Sequence, residues 1–341
     1  MIYDVTIGIP MFNVENFIER TMNSALSQTY QSIEYLVLDD GSNDKSLEVV
    51  RNLQSTHPRG NDIRIIVHSE NLGPSVARNR IIDEAKGKYL FFLDSDDLIR
   101  EDTISLMMKF VVEEKADIVF ASMEKILLTG ERTVYQYPKM HFYKEDDFAN
   151  FSYRRYAGIQ ASTCNFLVKL SVIRENDLRF YKSDYWEDFV FVLDLVTYID
   201  NAVLLPDITY TYLCRQNSLS NFQKREFVKK EEILRNVGVA EYMKKGCSRL
   251  KSKSYFPQRC YVAVMTDFYI ACHIIKQRKI IHPPVLDKEI KGFFSHPASF
   301  RQICSFRQSR FKNLVLYFIG KLPALLCVAT ILFMGKVKKL I

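Results

Sequence analysis

Through the first 120 residues, short apolar runs alternate with amphipathic stretches. The runs at 5–9, 33–38, 63–67, 89–93 and 118–121 have the length and β-branched content of strands covered on both faces. Between them, 15–26, 44–53, 75–85 and 101–112 carry apolar positions at helical spacing, with Asn13 placed to cap the first helix. Strands alternating with helices predict βαβ units and a mostly parallel sheet, an α/β fold. Beyond residue 122 the alternation breaks down. Residues 122–160 are rich in Tyr and Phe and read as hairpins or loops. A helix follows at 187–198, then short strands at 202–205 and 209–214, then basic helical sequence over 225–280.

Each predicted strand of the first half ends in polar or glycine-containing sequence. The fourth ends most abruptly, in Asp94-Ser95-Asp96-Asp97. Carboxylates at the carboxyl end of a strand lie where open α/β sheets bind ligands. Crowded hard oxygen donors repel one another unless a cation sits among them, and Mg²⁺ or Mn²⁺ shared with a substrate diphosphate is the usual one. A solvated turn capping the next helix is the competing reading. The other strand ends are Pro10-Met11-Phe12-Asn13, Asp39-Asp40-Gly41-Ser42-Asn43-Asp44 and Asn71-Leu72-Gly73 running on to Arg78-Asn79. Singly each reads as a turn or cap, Asp44 above all as a helix cap. Together they define one edge of a sheet.

As a set, these segments resemble glycosyltransferase family 2, the inverting group with the GT-A fold; the resemblance covers about residues 1–220. Trp186-Glu187-Asp188 is similar to that family's Glu-Asp catalytic motif, and Arg215 to Ser220 to the segment that closes over the diphosphate. Phe12 stands where the family usually has Tyr. The resemblance implies a nucleotide-sugar site built from Pro10, Phe12, Asn13, Asp39, Asp40, Gly73, Arg78, Asp94, Ser95 and Arg215. It also implies that Asp96 and Asp94 hold the metal, that Asp188 is the general base, and that Glu187 and Trp186 lie on the acceptor side. For several of these a plain structural role stays open. Glu187 and Asp188 could simply begin a helix, where acids favour the positive end of the dipole. Arg78 could be a structural partner of Asp94 or Asp97, Arg215 a surface residue, and Trp186 a packing residue.

Charge adds a second theme. Residues 1–110 carry 11 Lys/Arg against 17 Asp/Glu, while 224–341 carry 24 against 7. The acidic front suits a metal, and the basic back suits an anionic surface. Residues 314–335 are apolar apart from Lys321, with basic residues on both flanks. Pro323 leaves little clear length for a span, so an in-plane membrane anchor is expected, with a transmembrane or a buried helix as alternatives. No nucleic-acid motif occurs, and the apolar tail points the basic region at lipid instead. Seven cysteines without a C-x-x-C suit reduced thiols, and a basic region ahead of the first strand, as in a secretory signal, is absent.

The expected organisation is a GT-A domain over 1–220, with a nucleotide-sugar half (1–121) and an acceptor half (122–220). A basic helical extension (221–312) and an apolar membrane-associating tail (313–341) follow. The expected activity is inverting hexosyl transfer, dependent on Mn²⁺ or Mg²⁺. The donor would be a nucleotide diphosphate sugar, UDP by preference. The acceptor would be a glycan, free or carried on a polyprenyl diphosphate, at the cytoplasmic face of the cell membrane. The alternatives are an inactive relative serving as a membrane scaffold and a sugar nucleotidyltransferase. The latter needs a glycine-rich phosphate loop after the first strand, which Phe12-Asn13-Val14-Glu15 does not offer.

Overall fold

The computed structural model describes residues 3–154, 159–160, 162–183, 186–215 and 226–341. The chain divides into two compact units, one formed by Met1–Phe148, Ala161–Phe180 and Asp194–Asn221, the other by Ala149–Gln160, Tyr181–Leu193 and Phe222–Ile341. In chain order the elements reaching the first unit are β1 (Tyr3–Met11), α1 (Ile18–Leu26), β2 (Ile33–Asp39), α2 (Ser46–Thr56), β3 (Ile63–Val67), α3 (Pro74–Glu84), β4 (Gly87–Phe92), β5 (Leu98–Ile99), α4 (Thr103–Glu114), β6 (Ile118–Ile126), β7 (Arg132–Tyr135), β8 (Met140–Phe142), α5 (Asp147–Arg154), β9 (Phe166–Lys169), α6 (Leu170–Glu175), α7 (Glu187–Leu195) and β10 (Ala202–Leu213).

The described strands of this unit form a ten-stranded sheet whose main path runs β3-β2-β1-β4-β9-β6-β10-β5. Strands β3, β2, β1 and β4 are parallel, as the βαβ pattern predicts. The other half is mixed. β9 runs antiparallel to both β4 and β6, and β5, β7 and β8 pair antiparallel to their neighbours. Alternation along β1 explains the layering. Val5, Ile7, Ile9 and Met11 join a core with α1, α2 and α4. On the opposite face a side chain at Gly8 would meet Ile81 of α3 at 2.5 Å. Glu34, buried within β2, is fully compensated: its carboxylate accepts from Thr6 Oγ1 (2.6 Å), Arg64 Nε (2.9 Å) and the Lys86 N–H (2.8 Å).

Three local readings differ from the structure. The first helix begins at Ile18 without a side-chain cap, and Asn13 instead accepts the Asn43 N–H at 2.8 Å, tying the first two strand ends together. Asp44 accepts from the Ser46 N–H and the Glu15 N–H, at 2.9 Å each, so it joins two loops, while the N-cap position of α2 falls to Lys45. The strands expected at 202–205 and 209–214 are a single strand, β10. Its register shifts where Pro206 stands, because proline removes a ladder donor and is accommodated at a bulge.

The second unit contains β11 (Val228–Lys229), α8 (Lys230–Gly246), α9 (Phe256–Gln277), β12 (Ile281–His282), α10 (Asp287–Phe293), α11 (Phe300–Ser305), α12 (Arg310–Ile319) and α13 (Ala324–Val337). Helix α9 is buried along most of its length, with Cys327, Val328 and Ile331 of α13 in the same core. A buried ion pair joins α8 to α9: Lys244 Nζ lies 3.0 Å from Asp267 and also donates to the carbonyl of Phe293 at 2.7 Å. Burial pushes the Asp267 carboxyl up, to about 8, against the pull of Lys244. Removing one partner strands a buried charge, so Lys244→Met is expected to destabilise this unit by about 3–5 kcal/mol in urea denaturation. Adding Asp267→Leu should restore most of that loss.

The apolar tail is two helices broken at residues 320–323, where Gly320 and Pro323 end one and begin the other. Among the described residues no helix is long and apolar enough to cross a membrane.

Candidate active site

The ends of β1 and β2 stand side by side, Met11 opposite Asp39, and β4 flanks β1 on its other edge. Asp39 is buried and accepts the Ser42 N–H at 3.2 Å. Asp40 spends its oxygens on structure. It accepts the backbone N–H groups of Leu72 (3.1 Å) and Gly73 (2.8 Å) and faces His68 Nδ1 at 2.7 Å. It thereby holds the loop that leads into α3. Gly73 there has φ 93°, a left-handed conformation that glycine adopts freely, and a side chain built on it would meet no atom within 4 Å. Pro10 and Phe12 lie at the end of β1, with the Phe12 ring 37% exposed.

Arg78 projects from α3. It is buried, donates to Asp94 Oδ1 at 3.0 Å and lies 5.6 Å from the centre of the Phe180 ring. The next residue fixes that ring: the Asn79 amide donates to the Phe180 carbonyl at 2.9 Å and accepts its N–H at 2.8 Å.

The three carboxylates after β4 have three different environments. Asp94 accepts from Arg78 and from the Cys164 thiol, whose Sγ is 2.9 Å from Oδ2. Asp96 accepts from Arg215 Nε, and the Arg215 guanidinium packs 5.3 Å from the Phe17 ring. Burial pushes the Asp96 carboxyl up, Asp94 adds repulsion, and Arg215 opposes both. Asp97 is fully buried, accepting the Tyr210 hydroxyl at 2.7 Å and the Leu213 N–H at 2.9 Å. Burial first, then the charges of Asp94 and Asp96, raise its carboxyl to about 8. Rather than capping the helix that follows, Asp97 fastens β10 to the turn after β4. Tyr210 completes the lock by accepting the Asp94 N–H at 3.3 Å. Ser95 is buried, and its carbonyl accepts from Thr21 at 3.1 Å.

These donors suit a divalent cation. Asp94 and Asp96 supply hard oxygens whose mutual repulsion a cation would relieve. Ligand atoms of Asp94, Asp97 and Cys164 also lie within 4.8 Å of one another, although Asp97 is already engaged by β10.

Trp186, Glu187 and Asp188 belong to the second unit. Glu187 and Asp188 form the first turn of α7, as the helix-start reading expects. Trp186 just before them has φ 73°, a conformation rare for a bulky residue and costing of the order of 1–3 kcal/mol. Its ring lies 5.6 Å from that of Phe189 and 6.4 Å from that of Tyr269, nearly parallel to the latter at 21°. Ser218 and Ser220 of the segment after Arg215 lie outside the described residues.

Sequence reasoning missed Tyr210, Cys164, Phe180 and Phe17. Tyr210 carried a usable signal, since a tyrosine buried in a strand needs a partner for its hydroxyl.

The model of the family "Glycosyl transferase family 2" matches residues 6–175. Glycosyltransferase GlyA of Streptococcus pneumoniae is 38% identical over 115 residues, 33% of this chain and 16% of that protein. The uncharacterized glycosyltransferase YibD of Escherichia coli is 24% identical over 226 residues, 65% of this chain and 64% of that one. The chain thus spans less than two thirds of these relatives. Staphylococcus aureus TarS 1–349, solved in complex with UDP-GlcNAc, superposes with a TM-score of 0.65 at 17% identity, covering 93% of this chain and 90% of that one. That likeness establishes the GT-A fold.

Proposed function

Since residues 6–175 belong to glycosyl transferase family 2, we propose that the chain transfers a sugar, with inversion, from a nucleotide diphosphate sugar to a hydroxyl of a glycan acceptor. One observation carries the reading: Asp94 and Asp96 at the end of β4, each met by an arginine, Arg78 and Arg215. Two cations and two carboxylates on one sheet edge suit a diphosphate and its metal. UDP is the nucleotide preferred, in keeping with the UDP-GlcNAc of the TarS complex. Asp39 would accept from the base or ribose, and Arg78 would hold both nucleotide and carboxylates in place. Arg215 would pass from Asp96 to the diphosphate. Asp94 and Asp96 would hold Mn²⁺ or Mg²⁺, which when bound offsets the charge of the leaving diphosphate. Asp188 would take the acceptor proton and Glu187 would position the acceptor. Thermal stabilisation by UDP-sugars with and without Mn²⁺ tests the donor site. Stabilisation by UDP, strengthened by the ion and lost in Arg78→Ala, supports it; indifference to every nucleotide sugar favours an inactive scaffold.

We place the acceptor at the cytoplasmic face of the cell membrane, as a glycan or a polyprenyl-diphosphate-linked glycan, with residues 301–341 resting on anionic lipid. The support is the outer face of α12 and α13. Phe311, Leu325, Phe333 and Val337 are 78%, 73%, 69% and 69% exposed. Arg307, Arg310, Lys312, Lys321, Lys336, Lys338 and Lys339 accompany them along the same segment. Such a face lies in the interface plane. Replacing Leu325, Phe333 and Val337 together by Glu is expected to weaken flotation with phosphatidylglycerol vesicles by roughly tenfold or more. High salt should weaken the unsubstituted chain's binding as well.

A further inference from the structure

The second unit contains a cavity of about 580 Å³, a size typical of small-molecule sites. Trp186 forms part of its wall, and Tyr269, His273, Lys276 and Gln277 of α9 line it together with Asn236 of α8. The four α9 residues fall at i, i+4, i+7 and i+8, which puts them on one face of the helix. That face is only partly buried, with Lys276 exposed, and the apolar Ile233, Ile270, Cys272 and Leu340 complete the wall. The indole and the Tyr269 ring are nearly parallel and offer flat apolar surface. Around them stand two amides, an imidazole and one ammonium group. Among the described residues no carboxylate lines the cavity. Burial, and then the charge of Lys276, lower the basicity of His273, with Gln277 partly opposing. A neutral imidazole can both donate to and accept from hydroxyl groups. The Asn236 side chain is oriented by Ser183, whose hydroxyl is 2.9 Å from its Oδ1. The strained backbone at Trp186 is a further sign that the indole is held where it is for a reason beyond packing.

We propose that this cavity is a saccharide subsite for the acceptor, in which a pyranose stacks on Trp186, its hydroxyls meet Asn236, His273 and Gln277, and Lys276 favours an acidic substituent. The assignment deepens the transferase reading and rests on it for the word acceptor. The arrangement is what a sugar needs: an apolar plane for its C–H face and convergent groups that donate and accept around the rim. In sequence the wall residue Trp186 immediately precedes Glu187 and Asp188, which ties the subsite to the residues proposed to act on the acceptor.

Trp186 is the single tryptophan of the chain, so intrinsic emission reports on this cavity. The probes are the methyl glycosides of glucose, galactose and N-acetylglucosamine, methyl glucuronide, and farnesyl phosphate. A saturable emission change with at least one saccharide is expected, with the glucuronide bound tightest. Lys276→Met should weaken the glucuronide about tenfold and leave neutral sugars unchanged. Tyr269→Ala should remove the response, and Tyr269→Phe should retain it, which separates loss of the ring from loss of the fold. UDP binding, followed by calorimetry, should be the same in all variants. A response to farnesyl phosphate alone, or none to any saccharide, overturns the subsite. In turnover, the variants should raise the acceptor KM while leaving acceptor-free hydrolysis of the donor unchanged. An unchanged acceptor KM in an active enzyme overturns the acceptor role. Saccharide binding at Trp186 without turnover of any nucleotide sugar overturns the transferase reading and leaves the saccharide site standing.

Discussion

Asp96→Ala is expected to lower the rate of sugar transfer by about 10²–10³-fold, the cost of removing one preorganised electrostatic contact from a charge-developing reaction. Asp96 lies in the turn after β4 close to Asp94, and among the described residues its side chain is met by the Arg215 guanidinium. On the proposed reading, its loss would remove a ligand from the metal as well as the group that orients Arg215. Loss of the fold would be a trivial cause, and the charge of the site allows a control. The Asp96 carboxyl is raised by burial and by Asp94. A carboxyl raised in the folded state costs stability as pH climbs above its unfolded value, so at neutral pH the charged form weakens the fold. Asp96→Asn in metal-free buffer should therefore melt no lower than the unsubstituted chain, while its turnover falls with that of the alanine variant. A drop in melting temperature that tracks the loss of turnover would assign Asp96 to structure.

The second large effect is expected at Asp188. If it takes the proton of the acceptor hydroxyl, Asp188→Asn should reduce kcat by ~10²–10⁴-fold. Binding of the nucleotide sugar should be unchanged. If Asp188 serves only as an acid in the first turn of α7, the substitution removes a dipole interaction worth ~0.3–1 kcal/mol and leaves kcat nearly intact. Glu187→Gln separates the two neighbours. As a positioning residue, Glu187 should raise the acceptor KM more than it lowers kcat. Measuring kcat and acceptor KM for both variants, with donor affinity from calorimetry, decides between these roles.

The parallel half of the fold was legible because it is written in local patterns. The run at 63–67 is β3 residue for residue, and the apolar run before Asp94 belongs to β4 and its end. Glycine and carboxylates at the strand ends marked the edge of the candidate site for the same reason. The antiparallel half was hidden. β9 is four residues long and is defined by partners in β4 and β6 rather than by its own period. Pro206 interrupts the pattern of β10, so one bulged strand read as two. Within the site, sequence separation did the hiding. Cys164 meets Asp94 across 70 residues, and Tyr210 meets Asp97 across 113. Asn13 looks like a helix cap until its side chain is seen to hold the neighbouring strand end. The backbone partners of Asp40 and Asp97 were equally hidden: Asp40 holds the loop before α3, and Asp97 holds β10. The break in the tail was legible, since Gly320 and Pro323 fall where the helices part.

The central claim is a metal-assisted nucleotide-sugar site at the carboxyl end of β4. Its most direct test is release of free nucleotide from a panel of UDP- and GDP-sugars, with Mn²⁺, Mg²⁺ or EDTA, by the unsubstituted chain and by Asp96→Ala. Release from one UDP-sugar that requires the divalent ion and disappears in the variant is expected. Release that ignores both EDTA and the substitution, or no release from any sugar nucleotide, would contradict it.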